Sequence, residues 1–99
     1  MAEVYLLHFN KPFWKTCQHY VGYTKFTAEK RCAVHRGELD GKPSLLVQYA
    51  LRNGNDFVIA KVERFRTQHK ARQREWQIKR NGHFSKICPI CNGDINGKS

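Results

Sequence analysis

The run Val4-Tyr5-Leu6-Leu7-His8-Phe9 constrains this chain more than any other stretch. It is too short for a stable helix and rich in apolar and aromatic side chains, so it reads as a buried strand. A buried strand needs partners. His19-Tyr20-Val21-Gly22-Tyr23-Thr24 is a second short strand, and the polar loop from Asn10 to Gln18 suits an antiparallel hairpin. Gly22 inside that strand predicts a bulge or a close approach to something. Phe57 to Phe65 gives a third strand, with Val58, Ala60 and Val62 on one side and Phe57 and Ile59 on the other, so cover on both faces is expected.

Helices are predicted between and after these strands. Thr27 is an N-cap, Glu29 lies in the first turn and Gly37 follows His35-Arg36 as a stop, which gives a helix of about ten residues. Pro43 opens a second, with Leu46, Val47, Ala50 and Leu51 at helical spacing as a core face, ending at Asn53-Gly54. From Thr67 to Arg80 the sequence is polar but periodic, with Ala71, Glu75 and Ile78 on one stripe and Asn81-Gly82 as the close. With 40% apolar residues the chain can build one modest core, so residues 1–92 read as a single domain and 93–99, rich in Gly and Asn, as a flexible tail.

Charge narrows the function. The 18 Lys and Arg against 8 Asp and Glu leave +10, an excess that repels itself unless a polyanion is a regular partner. Nucleic acid is the leading candidate. Nine of the basic residues fall in 61–86, beside only Glu63 and Glu75 as acids, which predicts a cationic face. No stretch approaches the roughly 20 apolar residues that span a bilayer, and the amino terminus lacks a basic segment followed by an apolar one. A cytoplasmic, DNA-associated protein is expected. Without an export signal, Cys17, Cys32, Cys88 and Cys91 are expected as thiols or metal ligands rather than disulfides.

Five residues could carry chemistry. Tyr5 and Tyr20 sit in neighbouring strands, and Arg31 and His35, four apart, share one helix face. Singly, strand tyrosines are packing residues and an Arg/His pair is a solvated face. Glu75 differs, because a carboxylate on an apolar stripe is costly to desolvate unless something pairs with it. The remaining acids are read as loop or solvated residues, which leaves one carboxylate for a metal and argues against a two-metal clamp.

In their order, these residues resemble the GIY-YIG nuclease superfamily. Glu3-Val4-Tyr5 corresponds to the first signature triplet, Tyr20-Val21-Gly22 to the second, and Tyr20 to His35 to its strand, turn and helix; the opening Gly-Ile is replaced by Glu3-Val4. Glu75-Trp76-Gln77-Ile78-Lys79 is similar to the segment that carries the family's metal-binding Glu, and the late Asn has two candidates, Asn81 and Asn92. The resemblance covers Glu3 to about Asn92. It implies an α+β fold, a three-stranded antiparallel sheet flanked by about three helices, and a metal-dependent endonuclease that uses one magnesium or manganese ion. It also implies roles: Tyr5 as general base or orienter of the attacking water, Tyr20 holding the phosphate or water network, Arg31 stabilising transition-state charge, His35 assisting, and Glu75 holding the ion.

The alternative from another class is a catalytically inactive nucleic-acid-binding module of the same fold, stabilised by zinc. Cys88-Pro-Ile-Cys91 has the interval of half a zinc site, with His83, Cys17, His19 or Cys32 as candidates for the other half. For backbone contacts the sequence offers Lys15, Lys25, Arg72 and Lys79. Trp14, between Lys11 and Lys15, reads equally as a substrate contact or a cap on the core, and Phe13 and Trp76 could also stack. No helix-turn-helix or zinc-finger spacing is present, so any sequence specificity would come from a protein partner or a second copy.

Overall fold

The strand that the sequence marks most strongly lies at the centre of the sheet. In the computed structural model, which describes residues 2–12, 18–82 and 84–91, β1 (Ala2–Phe9) is flanked by β2 (His19–Thr24) and β3 (Phe57–Phe65) in the order β2-β1-β3, both pairings antiparallel. A central strand is covered on both faces, which is why seven of the eight β1 residues are buried. The tail 93–99 lies outside the described residues. Among those described, no helix is long and apolar enough to cross a membrane.

Helices α1 (Ala28–His35) and α2 (Leu45–Arg52) cover one face, where Tyr5, Leu7 and Phe9 pack with Ala28, Cys32, Val47, Ala50 and Phe57. Helix α3 (Gln68–Asn81) and a short α4 (Phe84–Ile87) cover the other, where Ala2, Val4, Leu6 and Val21 meet Ala71, Ile78 and Cys88. The helix starts follow from side-chain chemistry. The Thr27 hydroxyl accepts from the Lys30 N–H and the Thr67 hydroxyl from the Lys70 N–H, both at 3.2 Å, satisfying donors that a first turn leaves open. Gly82 ends α3 in the left-handed conformation (φ 70°), where a side chain would be strained.

Three expectations are corrected. Leu46 is not a core residue of α2: Val47 and Ala50 are fully buried, whereas Leu46 is largely exposed. The third strand is covered on both faces only in part: Phe57 and Ile59 pack on the α1 side and Ala60 and Phe65 on the α3 side, but Val58 and Val62 are exposed. Those two valines do not share a face. The register shifts between Leu6 and Leu7, so that Leu7 pairs with Ile59 but Leu6 with Lys61. One extra residue, Ala60, is thereby inserted, and an insertion in a period-two strand exchanges the faces of everything beyond it.

The third correction concerns acids. Glu3 lies neither in a loop nor in solvent: it is buried in β1 on the α1 face, accepting the Ala28 N–H at 2.7 Å and paired with Arg64 at 3.0 Å. A carboxylate at the first N–H groups of a helix is favoured by the open donors and the helix dipole. Glu3 thus anchors the start of α1, and Arg36, bonded to Asp56 and the Phe57 carbonyl at 2.7 Å each, anchors its end to β3. Between these anchors lie Arg31 and His35.

Candidate active site

Alternation along β1 and β2 sets the first part of the site. Tyr5 faces α1 and stands opposite Gly22, while Tyr20 lies diagonally across the strand pair, with ring centroids 6.4 Å apart. A Cβ on Gly22 would lie 2.5 Å from the Tyr5 hydroxyl and 3.1 Å from the Tyr20 ring. The glycine in β2 is therefore a close approach, not a bulge, and leaves room for the two phenols. His35, buried on α1, completes the cluster: its Nε2 is 3.1 Å from the Tyr5 hydroxyl, and its ring meets that of Tyr20 edge-on at 6.1 Å.

The protonation of His35 follows from its other nitrogen. The backbone N–H of Ser44 points at Nδ1 from 3.1 Å, and an amide can only donate, so Nδ1 is the acceptor. Burial, reinforced by the Arg31 charge, holds the imidazole neutral, with its pKa lowered to about 4. The one ring proton therefore sits on Nε2, which donates to the Tyr5 oxygen. The Arg31 guanidinium lies near the same hydroxyl, where its charge favours the phenolate. Even so, burial, with the Tyr20 phenol beside it, keeps the Tyr5 pKa well above the usual tyrosine range. The Tyr5 oxygen thus accepts the His35 hydrogen bond as a neutral phenol, and its own hydrogen is left to donate elsewhere.

Glu75 is not part of this contact cluster. It lies half-buried on α3, against the opposite face, and its carboxylate is 3.3 Å from the Lys79 ammonium one turn on. That lysine reaches around the β2 edge to lie 5.9 Å from the centre of the Tyr20 ring. Tyr5, Tyr20, Arg31 and His35 are therefore gathered directly, and Glu75 stands at the neighbouring edge, on the far side of Lys79.

The basic residues follow the same edge. An open cleft is lined by Lys25, Lys30 and Arg31 together with Tyr23, Phe26 and Gln68. Arg72 lies 5.9 Å over the Tyr23 ring, and a neighbouring depression is lined by Arg72, Glu75 and the exposed Trp76. Lys25, Arg72 and Lys79 thus border one continuous edge, whereas Trp14 and Lys15, with Phe13, lie outside the described residues. Asn81 is the exposed last residue of α3, and Asn92 also lies outside the described residues.

Cys88 and Cys91 lie on the α3 face, next to His8 and His19. Of the partners expected for them, His19 is present. Cys32 is not: it is packed between α1 and the other face, where burial pushes its thiol up to about 11. Cys17 and His83 lie outside the described residues. Sequence reasoning missed Glu3, Ser44 and His8. Strand alternation places Glu3 on the Tyr5 face and could have found it; nothing local marks Ser44.

A family model described as the GIY-YIG catalytic domain matches residues 4–87. No curated protein and no solved structure gives a match.

Proposed function

The chain belongs to the GIY-YIG family, a nuclease family, and from that premise we propose that it is an endonuclease that hydrolyses DNA phosphodiester bonds with the help of one divalent ion. The observation that carries this reading is the Tyr5 hydroxyl, held by an imidazole of fixed tautomer, with the Arg31 guanidinium nearby in a basic cleft.

Hydrolysis of a phosphodiester needs a positioned water, neutralised non-bridging oxygens and help for the leaving oxygen. With its pKa raised by burial, the Tyr5 phenol is a poor resting base. Its role is that of an orienter, the hydroxyl hydrogen pointing at the attacking water or a phosphate oxygen while His35 fixes the phenol oxygen. Tyr20 packs against His35 and supports the same water and phosphate network. Arg31 lines the cleft and also reaches Tyr5, so it neutralises phosphate charge where the water is held. Lys25, Arg72 and Lys79 follow the nucleic-acid backbone, and Trp14 and Lys15 are proposed as further contacts from the sequence alone.

The residues fit a single magnesium or manganese ion. Glu75 offers one hard carboxylate, beside which a cation already sits in the form of the Lys79 ammonium. One carboxylate completed by phosphate oxygens and waters is a normal magnesium set, and the bound ion would supply charge neutralisation at the scissile phosphate.

The test is incubation with supercoiled plasmid and branched DNA, with and without magnesium. Glu75→Ala and Tyr5→Phe are expected to bind DNA nearly as the parent does while nicking falls by about 100-fold or more. An active Glu75→Ala protein refutes the metal assignment. The Lys79 pairing favours one second reading, an inactive nucleic-acid-binding module in which the ammonium permanently replaces the ion; that reading predicts salt-sensitive binding and no nicking at any magnesium concentration.

A further inference from the structure

The geometry points to a structural zinc site formed by His8, His19, Cys88 and Cys91, on the sheet face opposite the tyrosine cluster. It stands apart from the nuclease reading, because metal content is measured without substrate.

Two hairpin positions and one distant turn make the site. His8 and His19 are directly paired across β1 and β2, at the end of the hairpin next to its loop. Both point to the α3 face, since their neighbours Leu7 and Tyr20 point to the other. The chain after α4 brings Cys88 and Cys91 beneath them, Cys88 fully buried among Val4, Leu6 and Val21. All four ligand atoms lie within 4.8 Å of one another.

Four of the six separations are close to those of a tetrahedron around an ion. Zinc bonds imidazole nitrogen at about 2.0 Å and thiolate sulfur at about 2.3 Å, so neighbouring ligand atoms fall roughly 3.3 to 3.8 Å apart. Here His8 Nδ1 is 3.2 Å from His19 Nε2, 3.5 Å from Cys88 Sγ and 3.6 Å from Cys91 Sγ, and Cys91 Sγ is 3.3 Å from His19 Nε2. Hydrogen bonding alone cannot account for this arrangement. A ring nitrogen has one in-plane direction, holding either a lone pair or a hydrogen, yet His8 Nδ1 faces three polar atoms at once. An ion at the centre serves all four together.

The donor set selects the ion. Two sulfurs and two imidazoles gathered within 4.8 Å suit zinc, and four protein ligands leave no open position, so the site is structural rather than catalytic. Binding releases the two thiol protons, and two thiolates balance the charge of the ion, giving a neutral centre beside an apolar cluster. The consequence is mechanical. The segment that follows α3 is fastened to the hairpin from 69 residues away in the chain, counting His19 to Cys88, and so helps to hold α3, with Glu75 and Lys79, against the sheet.

The experiment uses the full chain, purified under reducing conditions without a metal-affinity tag. Elemental analysis should find about one zinc per chain, and cobalt added to the metal-free protein should give the intense visible bands of a tetrahedral thiolate site. His8→Ala and Cys91→Ala should each weaken zinc binding by about 100-fold or more, while Cys32→Ala, in the other core cluster, should keep full occupancy. Should a variant fail to fold, the cobalt titration of the parent protein still decides. Reduced protein that takes up neither zinc nor cobalt, or bands that persist in Cys91→Ala, would overturn the assignment.

Discussion

The two faces of the sheet treat their polar groups in opposite ways. On the α1 face the buried groups have fixed partners: Ser44 fixes one nitrogen of His35, Tyr5 takes the other, and Glu3 is held by the first N–H of α1 and by Arg64. On the α3 side, Glu75 is paired with a flexible lysine one turn away, and His8, His19, Cys88 and Cys91 crowd one small volume. A group satisfied internally is rigid before any ligand arrives; a group satisfied only by a long side chain, or crowded among rivals, changes little to receive an ion. In the proposed reading, the first face orients and the second receives cations. The difference can be broken by making the first face behave like the second.

Acid should do so with the largest effect. In the unfolded chain His35 takes up a proton near its ordinary pKa of 6.5, but in the folded protein only near 4. The folded state therefore binds fewer protons in that window, and the stability present in full above pH 6.5 is lost as the pH falls toward 4, by roughly 3 kcal/mol in all. The carboxylates held low by their partners, Asp56 and Glu63, act at lower pH, as protonation reaches acids with ordinary values of 3.8 and 4.5. Urea unfolding at pH 7 and pH 4.5 of the parent and of His35→Gln isolates this imidazole from the others. Equal pH dependence in the two would mean that the cluster is as adaptable as the opposite face.

Gly22→Ala should come next. The added methyl would meet the Tyr5 hydroxyl at 2.5 Å, and that hydroxyl is not a free end, being held by His35. Overpacking of this kind costs about 2 kcal/mol. Nicking should fall by more than the melting shift explains, because the displaced atom is the one proposed to orient the nucleophile. A variant with unchanged nicking would show that Tyr5 can move without consequence.

Much of this arrangement is legible in the letters, and the reasons for the rest are physical. The strands at 19–24 and 57–65 are marked by runs of β-branched and aromatic residues with turn residues between them, and they form where expected. The face assignment of β3 failed because one inserted residue at Ala60 exchanges faces, and alternation cannot register an insertion. Tyr5, Tyr20, Arg31 and His35 could be named from their order along the chain and are gathered in space. The contacts that tune them could not: Ser44 reaches His35 through a loop, and Glu3 meets Ala28 across 25 residues. His8 was hidden for a related reason, since it sits within an apolar run and its sulfur neighbours lie 80 and 83 residues away.

The smallest effect tests the second face. Lys79 is half exposed and pairs with Glu75 at i,i+4, an arrangement that stabilises a helix by a few tenths of a kcal/mol. If the ammonium is a placeholder for the ion, Lys79→Met should leave the melting temperature nearly unchanged and lower the magnesium concentration needed for half-maximal nicking, because the ion no longer competes with a resident cation. DNA binding should weaken slightly and with a shallower salt dependence, as expected on losing one backbone contact. A higher magnesium requirement would assign Lys79 a working part beside Tyr20, in which case the α3 side is as fixed as the α1 face and the contrast between them fails at this residue.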